Sequence, residues 1–66
     1  MYEVKVCLKN RDETVKFYSD WAARIMAEKW SACYDVERTI VINGETGELG
    51  YEFVNGKPEY IGSVDF

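Results

Sequence analysis

From Tyr2 to Lys9 the chain alternates without a break, with Tyr2, Val4, Val6 and Leu8 on one side and Glu3, Lys5, Cys7 and Lys9 on the other. Side chains point to opposite faces along a strand, so this pattern belongs to a sheet with one face on a core and one on solvent. A chain of 66 residues holds one core, and the apolar face must be covered from within the same small unit. Hydrophobic residues make up 47% of the chain, enough apolar area to offset the entropy of ordering it. Residues 1–66 are therefore read as a single compact α+β domain.

The period changes after Lys9. Asn10 followed three residues later by Glu13 has the form of a helix N-cap with a reciprocal acidic partner, with Asp12 as the alternative cap, and both acids suit the positive end of a helix. Continued at helical pitch, Val15, Tyr18, Trp21, Ala22, Ile25, Met26 and Trp30 form one stripe, with Glu13, Lys16, Asp20, Arg24 and Glu28 opposite. Phe17 falls on the polar side beside Arg24 and Glu28, and Trp21 sits on the border. The helix is thus expected to carry an exposed aromatic edge, and Trp30, in the core, to matter far more for stability than Phe17.

A second strand is expected where Val36, Ile40 and Ile42 alternate with Glu37, Thr39 and Val41, with Arg38 a misfit on its inner face. The turn residues Asn43 to Glu48 predict a hairpin, since Asn43 can bond the backbone ahead and Gly44 and Gly47 tolerate positive φ. Leu49, Tyr51 and Phe53 alternate with Gly50, Glu52 and Val54 in a third strand. Asn55-Gly56 predicts a two-residue hairpin, and Pro58 confines the short strand Glu59–Ile61 to a sheet edge. The tail 62–66 is read as loose unless Phe66 docks. The expected fold is a single helix packed on one face of a three- to four-stranded sheet, in the order β-α-β-β-(β), with the first strand either parallel to the second or antiparallel to the third.

The chain contains no histidine, which removes the usual Ser-His and Cys-His nucleophile pairs. Cys7 and Cys33 alone fall short of a structural zinc site. They are expected on opposite sides of the sheet as free thiols, Cys33 buried and Cys7 accessible. The glycines at 44 and 47 lack the lysine and the strand-to-helix context of a phosphate loop. Glu37 and Glu52 are the best candidates for a carboxylate pair, but an open polar face would not raise either pKa. No catalytic residue, cofactor or metal is expected, and the protein is read as no enzyme. With no apolar run of eighteen residues and no basic leader at Met1–Lys5, it is read as cytoplasmic, without a membrane segment.

Net charge is −4, and it is uneven: residues 1–33 carry net +1 and residues 34–66 net −5. Such a field disfavours nucleic acid despite aromatic residues near arginine. The reading that follows is a small acidic protein–protein interaction module with Phe17, Trp21 and Arg24 as its contact edge and an unidentified protein as partner. Pairing of two copies through that edge, Arg24 facing Glu28, is a further expectation. The alternative is an acidic inhibitor or nucleic-acid mimic that blocks a basic site through Asp35, Glu37, Glu45, Glu48, Glu52 and Glu59.

Overall fold

The computed structural model describes residues 1–62, so the expectation for the tail falls, beyond Gly62, outside the described residues. The protein is α+β: one helix packs on a five-stranded antiparallel sheet. The elements are β1 (Tyr2–Leu8), β2 (Asp12–Phe17), α1 (Asp20–Ser31), β3 (Val36–Asn43), β4 (Leu49–Val54) and β5 (Lys57–Ile61), and the sheet order is β2-β1-β3-β4-β5.

The first correction concerns residues 10–17. They form the turn and second arm of a hairpin on β1, not the start of a helix, with Val4 opposite Val15 and Tyr2 opposite Phe17. Glu13, Val15 and Phe17 lie on the helix-covered face, and Asp12, Thr14 and Lys16 on the other. Val15 fits a strand as well as a helical stripe, whereas Phe17, off that stripe, fits only the strand, and β-branched Thr14 and Val15 favour the strand too. The helix instead starts at Ser19, whose Oγ accepts a hydrogen bond from the Ala22 amide at 3.3 Å, satisfying a backbone donor that has no partner within the helix. Asp20 then occupies the first turn and Lys29 the last, in accord with the helix dipole.

This extra strand decides the topology. Because β2 reverses the chain before α1 carries it back, the next strand, β3, returns antiparallel to β1 on its free side. Neither pairing expected for a four-element chain occurs, and β1 is flanked on both sides.

The helix stripe is corrected too. Its buried residues are Ala23, Ala27 and Ser31, spaced four apart, while Trp21 is 64% and Tyr18 90% exposed. Small side chains let the helix backbone approach the sheet, and the Thr39 hydroxyl donates to the Ala27 carbonyl at 2.7 Å. Ser31 Oγ donates to the Glu28 carbonyl at 2.7 Å and accepts from the Gly56 amide at 2.9 Å, fixing the helix end to the β4–β5 turn. The core beneath is Val4, Val6, Val41 and Phe53, with Tyr2, Leu8, Phe17, Trp30, Val36 and Tyr51 packed around it.

In β3 the expected phase is inverted over most of the strand. Val36 does pack against the core, but Thr39 and Val41 are fully buried there as well, three and five residues on. Cys7 pairs with Arg38 and Leu8 with Val36, so Glu37 is an extra residue bulged out of the ladder. One inserted residue exchanges the faces of all that follow. Arg38 consequently stands on the open face and is no misfit, and Thr39 and Val41 leave that face. Cys33, read as buried, is exposed in the turn after α1, and both cysteines are free thiols.

The two turns follow their sequence signals. Asn43 Oδ1 accepts from the amides of Glu45 and Thr46 at 2.9 and 3.3 Å. Asn55 and Gly56 both adopt positive φ, at 54° and 76°. A tight hairpin matched to strand twist requires that conformation at both positions.

Candidate functional site

α1 crosses the sheet and leaves its two flanks unequal. On the β2 flank, the rings of Phe17 and Trp30 lie 6.0 Å apart and tilted at 45°, closing the space beneath the helix. Tilted rings at such a separation attract one another beyond the area they bury. On the β4–β5 flank a cleft of about 280 Å³ remains, lined by Arg24, Glu28, Tyr51, Phe53, Pro58 and Ile61. That volume falls just below the range of small-ligand pockets and suits one side chain of a partner.

Each wall has a local cause. Tyr51 and Phe53 are two apart on β4, so both face the helix. Their rings stack at 5.9 Å to make an aromatic floor. Phe53 is nearly buried and Tyr51 half-buried. Arg24 and Glu28 are four apart on α1 and one residue round from the buried Ala23 and Ala27, which turns them to the β4 side. Pro58 pairs with Phe53, and Ile61 with Tyr51, so β5 supplies the outer wall. Ile61 is 65% exposed, and Trp21, one turn before Arg24 on α1, is 64% exposed outside the cleft lining.

The trio expected from the sequence is therefore divided. Trp21 and Arg24 share the cleft flank of α1. Phe17 is not on the helix at all: it ends β2, packs on Trp30, and is half-buried instead of forming an exposed edge. Tyr51, Phe53, Pro58, Ile61 and Glu28 complete the cleft. The sequence marks Tyr51 and Phe53 as inward-facing on a strand, but no sequence signal says which flank of the helix they meet.

The face of the sheet away from α1 mixes paired charges with apolar side chains: Ile40 and Ile42, expected on the inner face, stand here beside Lys5 and Glu3, and Leu49 lies opposite Ile42. Lys5 and Asp12 approach to 3.7 Å, and Arg38 donates to Glu52 at 3.3 Å. The Arg38 guanidinium is held above its ordinary pKa, chiefly by the hydrogen bond and charge of the neighbouring Cys7 and then by Glu52. Glu52 thus has a cationic neighbour in place of the second carboxylate expected at Glu37, which is displaced into the bulge. Among the described residues no group of three His, Cys, Asp or Glu side chains is placed to hold a metal ion, and no helix is long and apolar enough to cross a membrane.

The acidic residues of the second half are dispersed. Glu45 and Glu48 lie in the β3–β4 turn, Glu52 on the open face, Glu59 on the edge strand, and Asp35 and Glu37 beyond the end of α1. Glu45 also meets the amino terminus at 3.5 Å. No protein-family model, curated protein or solved structure matches this chain.

Proposed function

We propose that this protein is a non-enzymatic protein-interaction module that binds through the cleft between α1 and β4–β5. The observation that carries the reading is a cleft floored by half-buried Tyr51 stacked on nearly buried Phe53, with Ile61 65% exposed on its outer wall and Trp21 64% exposed one turn along α1 from Arg24, on a chain too short to waste apolar area. The partner is a segment of another protein that inserts one aliphatic or aromatic side chain over Tyr51 and Phe53. Arg24 offers donors to its backbone carbonyls, and Glu28, on a protein of net charge −4, favours a basic residue beside the anchor.

Selection from a displayed random-peptide library supplies a probe. Selected peptides carry an apolar anchor next to Lys or Arg, and their binding shifts the amide resonances of Arg24, Glu28, Tyr51, Phe53 and Ile61. Arg24→Glu and Trp21→Ala weaken binding, and moderate salt leaves most of it intact because the anchor is apolar. Shifts confined to Lys5, Arg38 and Glu52, or no selectable binder, would remove the cleft from the reading.

A further inference from the structure

A separate surface, independent of the cleft, is the outer edge of β2. In the β1–β2 hairpin the Leu8 amide donates to the Arg11 carbonyl at 2.9 Å, so residue 11 directs its backbone groups toward β1. Backbone groups alternate in direction along a strand. Glu13, Val15 and Phe17 therefore also face β1, and Asp12, Thr14 and Lys16 direct their amides and carbonyls outward. Among the described residues, this row of six polar backbone groups is left without a strand partner. The β1–β2 ladder runs in unbroken register from Tyr2–Phe17 to Cys7–Asp12, whereas each of the other three ladders contains a shift. β2 is thus a straight edge, without a proline or a bulge to protect it.

We infer that β2 pairs antiparallel with β2 of a second copy about a two-fold axis at Thr14, joining two five-stranded sheets into one. Only registers that set outward residues opposite outward residues form hydrogen bonds, and among these the one centred on Thr14 overlaps all three. It places Thr14 opposite the partner's Thr14, and Asp12 opposite the partner's Lys16, twice. The registers displaced by one step in either direction lose an overlap and separate these charges, and a further step sets Lys16 against the partner's Lys16 in one direction and Asp12 against the partner's Asp12 in the other. On the open face a row of alternating sign then crosses the junction: Asp12, the partner's Lys16, and the partner's Glu3, which stands opposite Lys16 in the hairpin. On the helix side Val15, 38% exposed, is covered near the axis. The area is that of a single strand pair, so association is weak and depends on concentration.

Residue-resolved hydrogen exchange measured from micromolar to millimolar protein, alongside sedimentation, tests this directly. The amides of Asp12, Thr14 and Lys16 become protected as the dimer forms, while those of Glu13, Val15 and Phe17 are protected throughout. Thr14→Pro removes an outward amide that serves no bond to β1, and yields a monomer. Should that variant fold poorly, charge exchange carries the test: D12K and K16D each set like charges opposite and associate about tenfold or more weakly, whereas their equimolar mixture restores both pairs and dimerises. A monomer at millimolar concentration, a dimer in which residues 12, 14 and 16 stay unprotected, or two folded charge variants that do not combine would each overturn the inference.

Discussion

The β2 and β5 sides of this molecule solve opposite halves of the same problem. β5 is blunted as an edge: Pro58 sits opposite Phe53 at a position facing away from β4, where its missing amide costs no ladder bond, and Glu59 bulges between Pro58 and Tyr60. Toward the helix, however, that side is open, and the cleft remains. β2 is the reverse. Toward the helix it is closed by Phe17 on Trp30, and at its edge it is bare. Each side thus exposes one kind of unsatisfied surface, apolar side chains at β5 and backbone polar groups at β2. A short chain can leave either available to a partner.

The strongest test of this contrast is Phe53→Ala. The ring is 3% exposed and is both cleft floor and core. Truncation should cost about 3–5 kcal/mol and nearly unfold a domain of this size in denaturant titration. A small loss would mean that the floor is surface only and that the cleft is no part of the core. Next come Phe17→Ala and Trp30→Ala, each expected to cost about 1.5–3 kcal/mol because both rings are half-buried. A double-mutant cycle should return a coupling of about 0.5–1.5 kcal/mol. A large loss for Trp30 with none for Phe17 would return Phe17 to an exposed helix edge and reopen the β2 flank.

Ser31→Ala leaves the Gly56 amide without its acceptor and loosens the helix end from the β4–β5 turn. Its expected cost is about 1–3 kcal/mol. Faster amide exchange at Gly56 should accompany it, and unchanged exchange would show that this contact does not hold the cleft side in place. The smallest effect is expected for Trp21→Ala, whose side chain is mostly exposed. Thermal melting should place it within roughly half a kcal/mol of the parent protein, as for surface substitutions in general. A larger loss would show Trp21 to be a structural part of the cleft wall and unsuitable as a neutral probe of binding.

What can be read from the sequence depends on how local each signal is. The alternation of β1, the Asn43 turn and the Asn55-Gly56 hairpin depend on neighbours within a few residues, and all stand in the structure. Arg24 and Trp21 are legible as exposed on a helix because residues 20–31 are helical under either starting point. Residues 12–17 offer a helical cap and a partial stripe as well as a strand period, and the local signs against the helix, Phe17 off the stripe and β-branched Thr14 and Val15, are weak beside the helix that follows. Phe17 is misplaced for that reason, and with it one third of the expected contact edge. The remaining cleft residues come from β4 and β5, and their meeting with α1 is a contact between elements remote in sequence.

Local sequence is enough for an α+β domain with an alternating first strand, two tight turns, a proline-bearing edge and an acidic surface, because backbone preference and amphipathic period act over one element at a time. That β2 is a strand comes from the assembled fold, since the hairpin satisfies the backbone groups that Val4 and Val6 would otherwise turn to a bare edge. The bulge at Glu37 has the same origin, bringing Thr39 and Val41 under Ala27 and Ala23 and sending Arg38 to Cys7 and Glu52. A one-residue slip costs nothing in local propensity, and only the core, filled or empty, distinguishes the two phases.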